Sequence, residues 1–485
     1  MIKTPRPYQV DIVNRTSRSL ALNKAVILHA PTGAGKSIMI DMIVSRALSK
    51  GKTVLVLSDA RKIYTQLVKE CNGLEINASV KELDIHPGKC YVGMIQTILK
   101  RPNIISQLQE LYTDLILLID ECHISTSTKL IDYLPDAYRI GCTATPYGVL
   151  HKHLPIYYND LVEGPQVDWL IHHGYLTNYR HVMRGQADTT LLQIRNGEIT
   201  EKSNEMVFGA QKVYDGLFDD LRKFPFKKAV IFVASIKHAE SLHSKLVEQG
   251  FKACRYHSQV EHGDYELAKF TTLHACNILV TIKSLSKGWD FPPIDFVALM
   301  HKTLSTSVYQ QEIGRGSRIF PGKDMFTVLD YGTNWKQHGL YWDDRPYSEL
   351  WKKVKKKSDK EGASSCKCCP SCESIIPATA RLCKFCDFEF PEPEQTLAQG
   401  ELVDLTAEYH ALVGKKTSEL TPEELAKYAK LKNKRPYAIR IAKAQEQRSP
   451  GFLMSFAASM GYKRSWIDHQ NIPNEPIDFA DITLK

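Results

Sequence analysis

Three short stretches of the chain carry side chains suited to handling phosphate. The first is Ala30-Pro-Thr-Gly-Ala-Gly-Lys-Ser37. After Pro31, which has no N–H to give, the backbone N–H groups of Thr32, Gly33, Ala34 and Gly35 can cradle an anion, and the two glycines let the main chain approach it closely. Lys36 can neutralise β and γ oxygens, and the Ser37 hydroxyl can ligate Mg²⁺. Ala30 stands where the usual pattern has its first glycine. The second stretch, Asp120-Glu121-Cys122-His123, ends an apolar run. Asp120 would hold Mg²⁺, usually through water, and Glu121 would polarise an attacking water. The third, Gln311-Glu-Ile-Gly-Arg-Gly-Ser-Arg318, brings Gln311 with Arg315 and Arg318, whose guanidinium groups can meet charge building on a γ phosphate in transfer. Almost three hundred residues separate the loop from the arginines, so the expectation is a nucleotide held between two lobes.

Positioning these groups needs a scaffold that presents strand ends. Val26–Leu28, Val54–Leu57, Leu115–Ile119 and Arg139–Cys142 have the length and apolarity of buried parallel strands. Lys36–Leu48 and Arg61–Glu70 carry helical periodicity between them. A second series holds strand candidates Ala229–Val233, Ile278–Ile282, Phe296–Leu299 and Phe326–Leu329. The expected fold is therefore α/β, with two tandem doubly wound parallel-sheet lobes. Lobe one is expected over 1–150, a connector with a small insert over 151–204, and lobe two over 205–335. A basic linker (336–365), a small zinc module (366–390) and a mainly helical C-terminal region (391–485) would follow. In that last region Thr421-Pro-Glu-Glu424 reads as a helix start: a cap hydroxyl, a proline at the first helical position and a glutamate at the third.

Length and composition set outer bounds. At 485 residues the chain exceeds one core. Its 63 Lys and Arg against 54 Asp and Glu leave +9, which suits a polyanionic partner without requiring one. The longest apolar runs are strand-sized and Met1–Leu20 carries no apolar core of signal-peptide length, so a cytoplasmic protein without a membrane span is expected, in host cytoplasm if phage-encoded. Six of the twelve cysteines fall between Cys366 and Cys386 and the rest are scattered through apolar segments. That distribution suits a reduced compartment and one metal site. Cys369, Cys372, Cys383 and Cys386 form a C-x2-C, x10, C-x2-C pattern able to place four thiolates around Zn²⁺. Cys366 with Cys369 is an alternative first knuckle, Cys368 is a spare, and a redox dithiol is the alternative chemistry. Lys352–Lys360 holds six lysines, either a solvated linker or a phosphate-tracking stretch. Tyr437, Arg440, Phe452, Tyr462, Lys463, Arg464 and Trp466 interleave rings and positive charge, as core or as a wedge at a DNA fork.

Taken in order, Arg6-Pro-Tyr-Gln9, the phosphate loop, Asp-Glu-Cys-His, Thr143-Ala-Thr145 and Gln-x-x-Gly-Arg-x-x-Arg resemble the motifs of superfamily 2 helicases and translocases. The resemblance covers about residues 5–335 and implies that the two parallel-sheet lobes are RecA-like. It implies ATP as fuel, with Arg6 and Gln9 in the nucleotide site and Gln9 reading adenine. It also implies that His123, Thr143 and Thr145 couple that site to a nucleic-acid track and that Gly288 and Asp290 face the nucleotide from lobe two. Strand phosphates would be touched by Arg61, Gln96 and Thr97 in lobe one and by Ser235, Thr281 and Ser284 in lobe two, positioning a strand without reading its sequence. Gly288-Trp-Asp-Phe-Pro292, Asp330-Tyr-Gly-Thr-Asn334 and the cysteine-rich segment look more like the bacterial RadD group and phage branch-migration helicases than the DEAD-box group. What this implies is an ATP-dependent DNA helicase or translocase on forked or branched DNA in replication, recombination or repair. An RNA helicase and a restriction-type translocase subunit are the alternatives. A protein partner would dock through the zinc module or the C-terminal region.

Overall fold

The computed structural model describes residues 4–349 except 78–83, 112–113, 147–153, 185–186, 188–190, 196–197, 274 and 283–288. Beyond these it describes Trp351 and the segments 366–368, 375–377, 402–404, 406–407, 411–412, 415–416, 419–431 and 435–462. Two seven-stranded sheets dominate. The first runs Leu74–Ile76, Cys90–Met94, Thr53–Ser58, Leu115–Asp120, Tyr138–Thr143, Ala25–His29, Asp160–Glu163, with every neighbour parallel. In the second the order is Ala253–Tyr256, Ile278–Thr281, Ala229–Val233, Phe296–Met300, Met325–Asp330, Asn178–Arg184 and Leu402–Asp404. Only its last strand is antiparallel, returning from far along the sequence to cover the exposed edge of Asn178–Arg184.

Period-2 alternation explains why these runs become strands buried on both faces. Val26, Leu28, Val54, Val56 and Leu118 point into one apolar cluster, while Ile27, Leu55, Leu57, Leu117 and Ile119 point into another on the opposite face. All ten are fully buried, each contributing roughly 1.5–3 kcal/mol of transfer free energy. Helices Pro7–Asn23, Lys36–Leu48, Arg61–Cys71 and Pro102–Glu110 supply the covering layers. The strand ends carrying Ala30, Glu121 and Ala144 therefore emerge along one edge, as a parallel sheet requires.

Residues 151–204 are more than a connector. Asp160–Glu163 joins the first sheet and Asn178–Arg184 the second, so each lobe borrows a strand from the stretch between them. Among the described residues of this stretch, Ile194–Arg195 and Glu198–Ile199 pair antiparallel as a separate two-stranded sheet, tied to lobe two where Leu304 N–H donates to Glu198 Oε1 at 2.8 Å. Further on, 366–368 pairs antiparallel with 375–377. The helix expected at Thr421 spans Pro422–Leu431. Its start is built as read: Glu424 N–H donates to Thr421 Oγ1 at 3.2 Å, and Thr421 N–H donates to Glu424 Oε2 at 3.1 Å. Among the described residues no helix is long and apolar enough to cross a membrane.

Candidate active site

A cleft of about 330 Å³ lies between the lobes, and all six residues expected to carry catalysis line it: Lys36, Asp120, Glu121, Gln311, Arg315 and Arg318. Lobe one's floor is the phosphate loop. Gly33 and Gly35 have φ of +86° and +79°, the left-handed region that costs a side-chain-bearing residue about 1–2 kcal/mol. Space forbids a side chain as well: a Cβ on Gly35 would lie 2.4 Å from Gln9 Nε2, and one on Gly33 2.8 Å from Leu176 Cδ2. Gly35 opens the helix Lys36–Leu48, whose first turn carries no acidic residue, so its dipole and free N–H groups face the cleft without competition. Pro31, Thr32 and Ser37 line the same wall. Ala34 turns away, and its carbonyl accepts from Gln9 Nε2 at 2.9 Å and Tyr8 Oη at 2.8 Å. Gln9 Oε1 accepts from Arg6 N–H at 2.8 Å, so one end of the Gln9 amide is held at the start of helix Pro7–Asn23 while the other braces the loop.

Glu121 ties the site together. It holds φ +49°, a strained geometry for a non-glycine residue, and its neighbour Cys122 is fixed by an N–H to Cys142 carbonyl bond of 3.1 Å. Lys36 Nζ is 3.6 Å from Glu121 Oε1, and His123 Nδ1 is 3.2 Å from Glu121 Oε2. The same ring nitrogen lies 2.9 Å from Thr143 Oγ1, which accepts from Thr145 N–H at 3.1 Å. His123 Nε2 then meets Ser307 Oγ of lobe two at 3.2 Å, and Gln311 Nε2 donates to that hydroxyl at 3.4 Å. A polar chain thus crosses the cleft from phosphate loop to lobe two. His123, Thr143 and Thr145 all lie on or beside it.

Buried charge marks the two walls. Burial, reinforced by the adjacent Glu121 and opposed by Lys36, pushes the Asp120 carboxyl up to about 7. Asp120 Oδ1 is buried with no hydrogen-bond partner, which fits an oxygen reserved for a cation, and Ser37 Oγ stands on the same wall. Opposite, burial and the neighbouring Arg318 bring the Arg315 guanidinium down to about 9, still protonated at neutral pH. Arg315 donates to the Trp289 carbonyl, and Arg318 forms an ion pair with Asp290 at 2.9 Å. Arg315 Nε and Arg318 Nη1 are buried donors with no hydrogen-bond acceptor. Donors stranded this way beside a phosphate loop fit an anion that bridges the lobes.

Other expected residues divide. Asp290 lines the cleft, whereas Gly288 and Ser284 lie outside the described residues. Arg61 and Gln96 are exposed and Thr97 half-buried, open to a partner. Thr281 corrects the expected phosphate contact: it is fully buried and its hydroxyl donates to Tyr256 carbonyl at 2.8 Å. Ser235 caps Ile236–Glu248, accepting from His238 N–H at 3.1 Å and donating to Glu205 at 2.9 Å, a structural duty. Cys369, Cys372, Cys383 and Cys386 lie outside the described residues. Among the described residues no group of three or more His, Cys, Asp or Glu gathers to hold a metal. The sequence reading passed over Ser307 and Tyr175. Ser307 sits one helical turn before Gln311, a spacing that places both on one face. Tyr175 lines the cleft with the Arg6 guanidinium 5.0 Å from its ring centroid, and nothing in its local sequence announces that.

Residues 2–148 match the family of the type III restriction enzyme res subunit, and residues 212–320 match the helicase conserved C-terminal domain. The chain belongs to the superfamily 2 helicases. Helicase domains of this kind imply ATP and, usually, Mg²⁺, in agreement with the stranded donors and the unpartnered Asp120 oxygen. Among similar curated proteins, a 51.5 kDa protein of a Lactococcus phage is 24% identical over 389 residues, covering 78% of this helicase chain and 82% of its own length. The endonuclease subunit of the EcoAI type I restriction enzyme of Escherichia coli is 27% identical over 390 residues. That match covers 71% of this chain but 47% of the subunit, so the helicase chain spans about half the length of that relative. Among solved structures, a fragment assigned to the HsdR subunit of a type I restriction enzyme from Vibrio vulnificus has the same fold, with TM-score 0.56 and 22% identity over 71% of this chain and 66% of the fragment.

Proposed function

We propose that this superfamily 2 helicase is an ATP-driven DNA translocase or helicase whose substrates are forked or branched duplexes. The observation that carries the reading is the polar chain Lys36–Glu121–His123–Ser307–Gln311, which joins the phosphate loop to lobe two beside two arginines with stranded donors. In this scheme the loop and Lys36 hold the β and γ phosphates, and Glu121 takes a proton from the attacking water. Arg315 and Arg318 stabilise the charge that develops in transfer. Mg²⁺, held by Ser37 and Asp120, would neutralise the phosphates. Relief of the Glu121–His123–Ser307 contacts on cleavage would shift the lobes along a strand whose phosphates meet Arg61, Gln96 and Thr97. Gln9, Arg6 and Asp290 would frame the nucleotide, with Gly288 beside them, and Ser284 would add a strand contact. Zn²⁺ on the four C-terminal cysteines would stabilise a module that docks DNA or a protein partner.

DNA is favoured over RNA by the restriction-enzyme relatives, and forks by the RadD-like details in lobe two and the basic run Lys352–Lys360. A second reading, a restriction-type translocase subunit that moves on duplex without separating strands, is favoured by the likeness to the EcoAI endonuclease subunit. ATPase stimulation and strand separation on forked, four-way, linear duplex, single-stranded DNA and RNA, with Glu121→Gln as the inactive control, distinguish them. Fork-stimulated unwinding is expected. Stimulation by linear duplex with movement but no unwinding would favour the second reading, and stronger stimulation by RNA would overturn both.

A further inference from the structure

Between Trp335 and Trp351 the chain returns from lobe two to lobe one, beyond both segments that match known families. Its near end is buried with lobe two through Trp335, Leu340 and Trp342. The far end is anchored in lobe one: Tyr347 and Trp351 belong to the apolar cluster on one face of the first sheet. Tyr347 tilts against His29, with ring centroids 4.7 Å apart. Ser348 gives its N–H and its hydroxyl to Glu163 Oε2, at 3.1 and 2.6 Å. Gln166 exchanges two hydrogen bonds with the Arg345 main chain. The Arg345 guanidinium holds the turn by donating to the carbonyls of His338, Leu340, Tyr341 and Asp343.

Tyr341 sits where this strap crosses the seam, fully buried. Its hydroxyl is 3.2 Å from Ser317 Oγ and 3.5 Å from the Thr32 carbonyl. Ser317 donates its own proton to Gly314 carbonyl at 3.0 Å, so towards Tyr341 it accepts, and the one Tyr341 proton is shared between Ser317 Oγ and, at the longer distance, the Thr32 carbonyl. Thr32 precedes Gly33 in the phosphate loop, and Ser317 lies between Arg315 and Arg318. A single hydroxyl therefore touches both half-sites without lining the nucleotide cleft. Clearance at this point is small. A Cβ on Gly314 would lie 2.5 Å from Thr32 Cγ2, and one on Gly33 would lie 3.2 Å from Ser317 Oγ.

We propose that Tyr341 is a positioning residue for ATP cleavage: carried on a strap anchored in both lobes, it holds the arginine-bearing turn in register with the phosphate loop. The proposal rests on the ATPase reading above. Tyr341→Phe keeps the ring and its packing and removes the hydroxyl alone. The expected result is a kcat for ATP lower by about three- to tenfold, with KM and thermal midpoint little changed. Ser317→Ala removes the acceptor, and the double variant should be no slower than the slower single one. Amide hydrogen exchange across residues 30–37 in nucleotide-free protein should rise in Tyr341→Phe, a readout that needs no turnover. Wild-type kcat in Tyr341→Phe, losses that multiply in the double variant, unchanged exchange, or a fall in kcat matched by a fall in thermal midpoint would each overturn the proposal. A wild-type protein without ATPase activity would refute the functional reading, and the exchange result would still judge the strap.

Discussion

Asp120 and Arg315 stand on opposite walls of one cleft, both deeply buried, and burial moves them in opposite directions: the carboxyl up to about 7, the guanidinium down to about 9. Their surroundings differ as much as their signs. Asp120 ends a strand whose every position is buried, so its place is set by the sheet. Arg315 follows the short helix Thr306–Ile313 and is fixed by the Trp289 carbonyl, from a segment well before it in the chain. Lobe one thus offers a rigid cradle, and lobe two a charge that tertiary contacts must aim. Lys36 partly offsets Asp120 and Asp290 pairs with Arg318, yet one Asp120 oxygen and one donor on each arginine stay without a hydrogen-bond partner. Magnesium and a triphosphate entering together would relieve both, which gives a physical reason for cleavage to wait until the lobes meet.

The largest expected break in this symmetry comes from lobe one. Lys36→Ala removes the cation nearest Glu121 and the expected β/γ-phosphate partner, so ATPase activity should fall by about a thousandfold or more, measured by phosphate release, while DNA binding by anisotropy persists. Next comes acidity. Below about pH 7 Asp120 takes up a proton and loses its claim on the cation, so the Mg²⁺ concentration for half-maximal activity should rise by about tenfold per pH unit below 7 and level off above it. Asp120→Asn should flatten that dependence. Ser307→Ala interrupts the crossing between His123 and Gln311, and should lower the DNA-stimulated rate by about tenfold or less while sparing the basal rate. Smallest is Thr421→Ala, which removes a helix cap remote from the cleft: about 1 kcal/mol of local stability, seen by hydrogen exchange over Pro422–Leu431, with ATPase unchanged.

Legibility in the sequence follows the same division between lobes. Runs such as Leu115–Ile119 and Ala229–Val233 announce themselves because strands buried on both faces are continuously apolar, and the structure extends most of them by a residue at one or both ends. The phosphate loop and Asp120-Glu121 were readable because their chemistry is local. Cys90–Met94, Asp160–Glu163 and Asn178–Arg184 were not read as strands. Asp160–Glu163 has only Leu161 and Val162 between two acidic residues at a sheet edge, and Asn178–Arg184 carries Arg180, His181 and Arg184 among its apolar positions. Thr281 and Ser235 are expected as strand contacts from the family resemblance alone, which does not tell a hydroxyl that faces a partner from one bonded to the backbone. Tyr175 and Tyr341 reach the seam through chain folding between lobes, which no local pattern encodes.

The seam itself is best tested by a double variant, Arg315→Ala with Arg318→Ala, in a single-turnover experiment with prebound ATP. Both residues lie in lobe two, whereas the loop, Lys36 and Glu121 lie in lobe one. The expected result is ATP bound within about tenfold of the wild-type affinity but cleaved at least about a thousandfold more slowly. Cleavage at the wild-type rate would mean that lobe one works alone and would contradict a site divided between the two lobes.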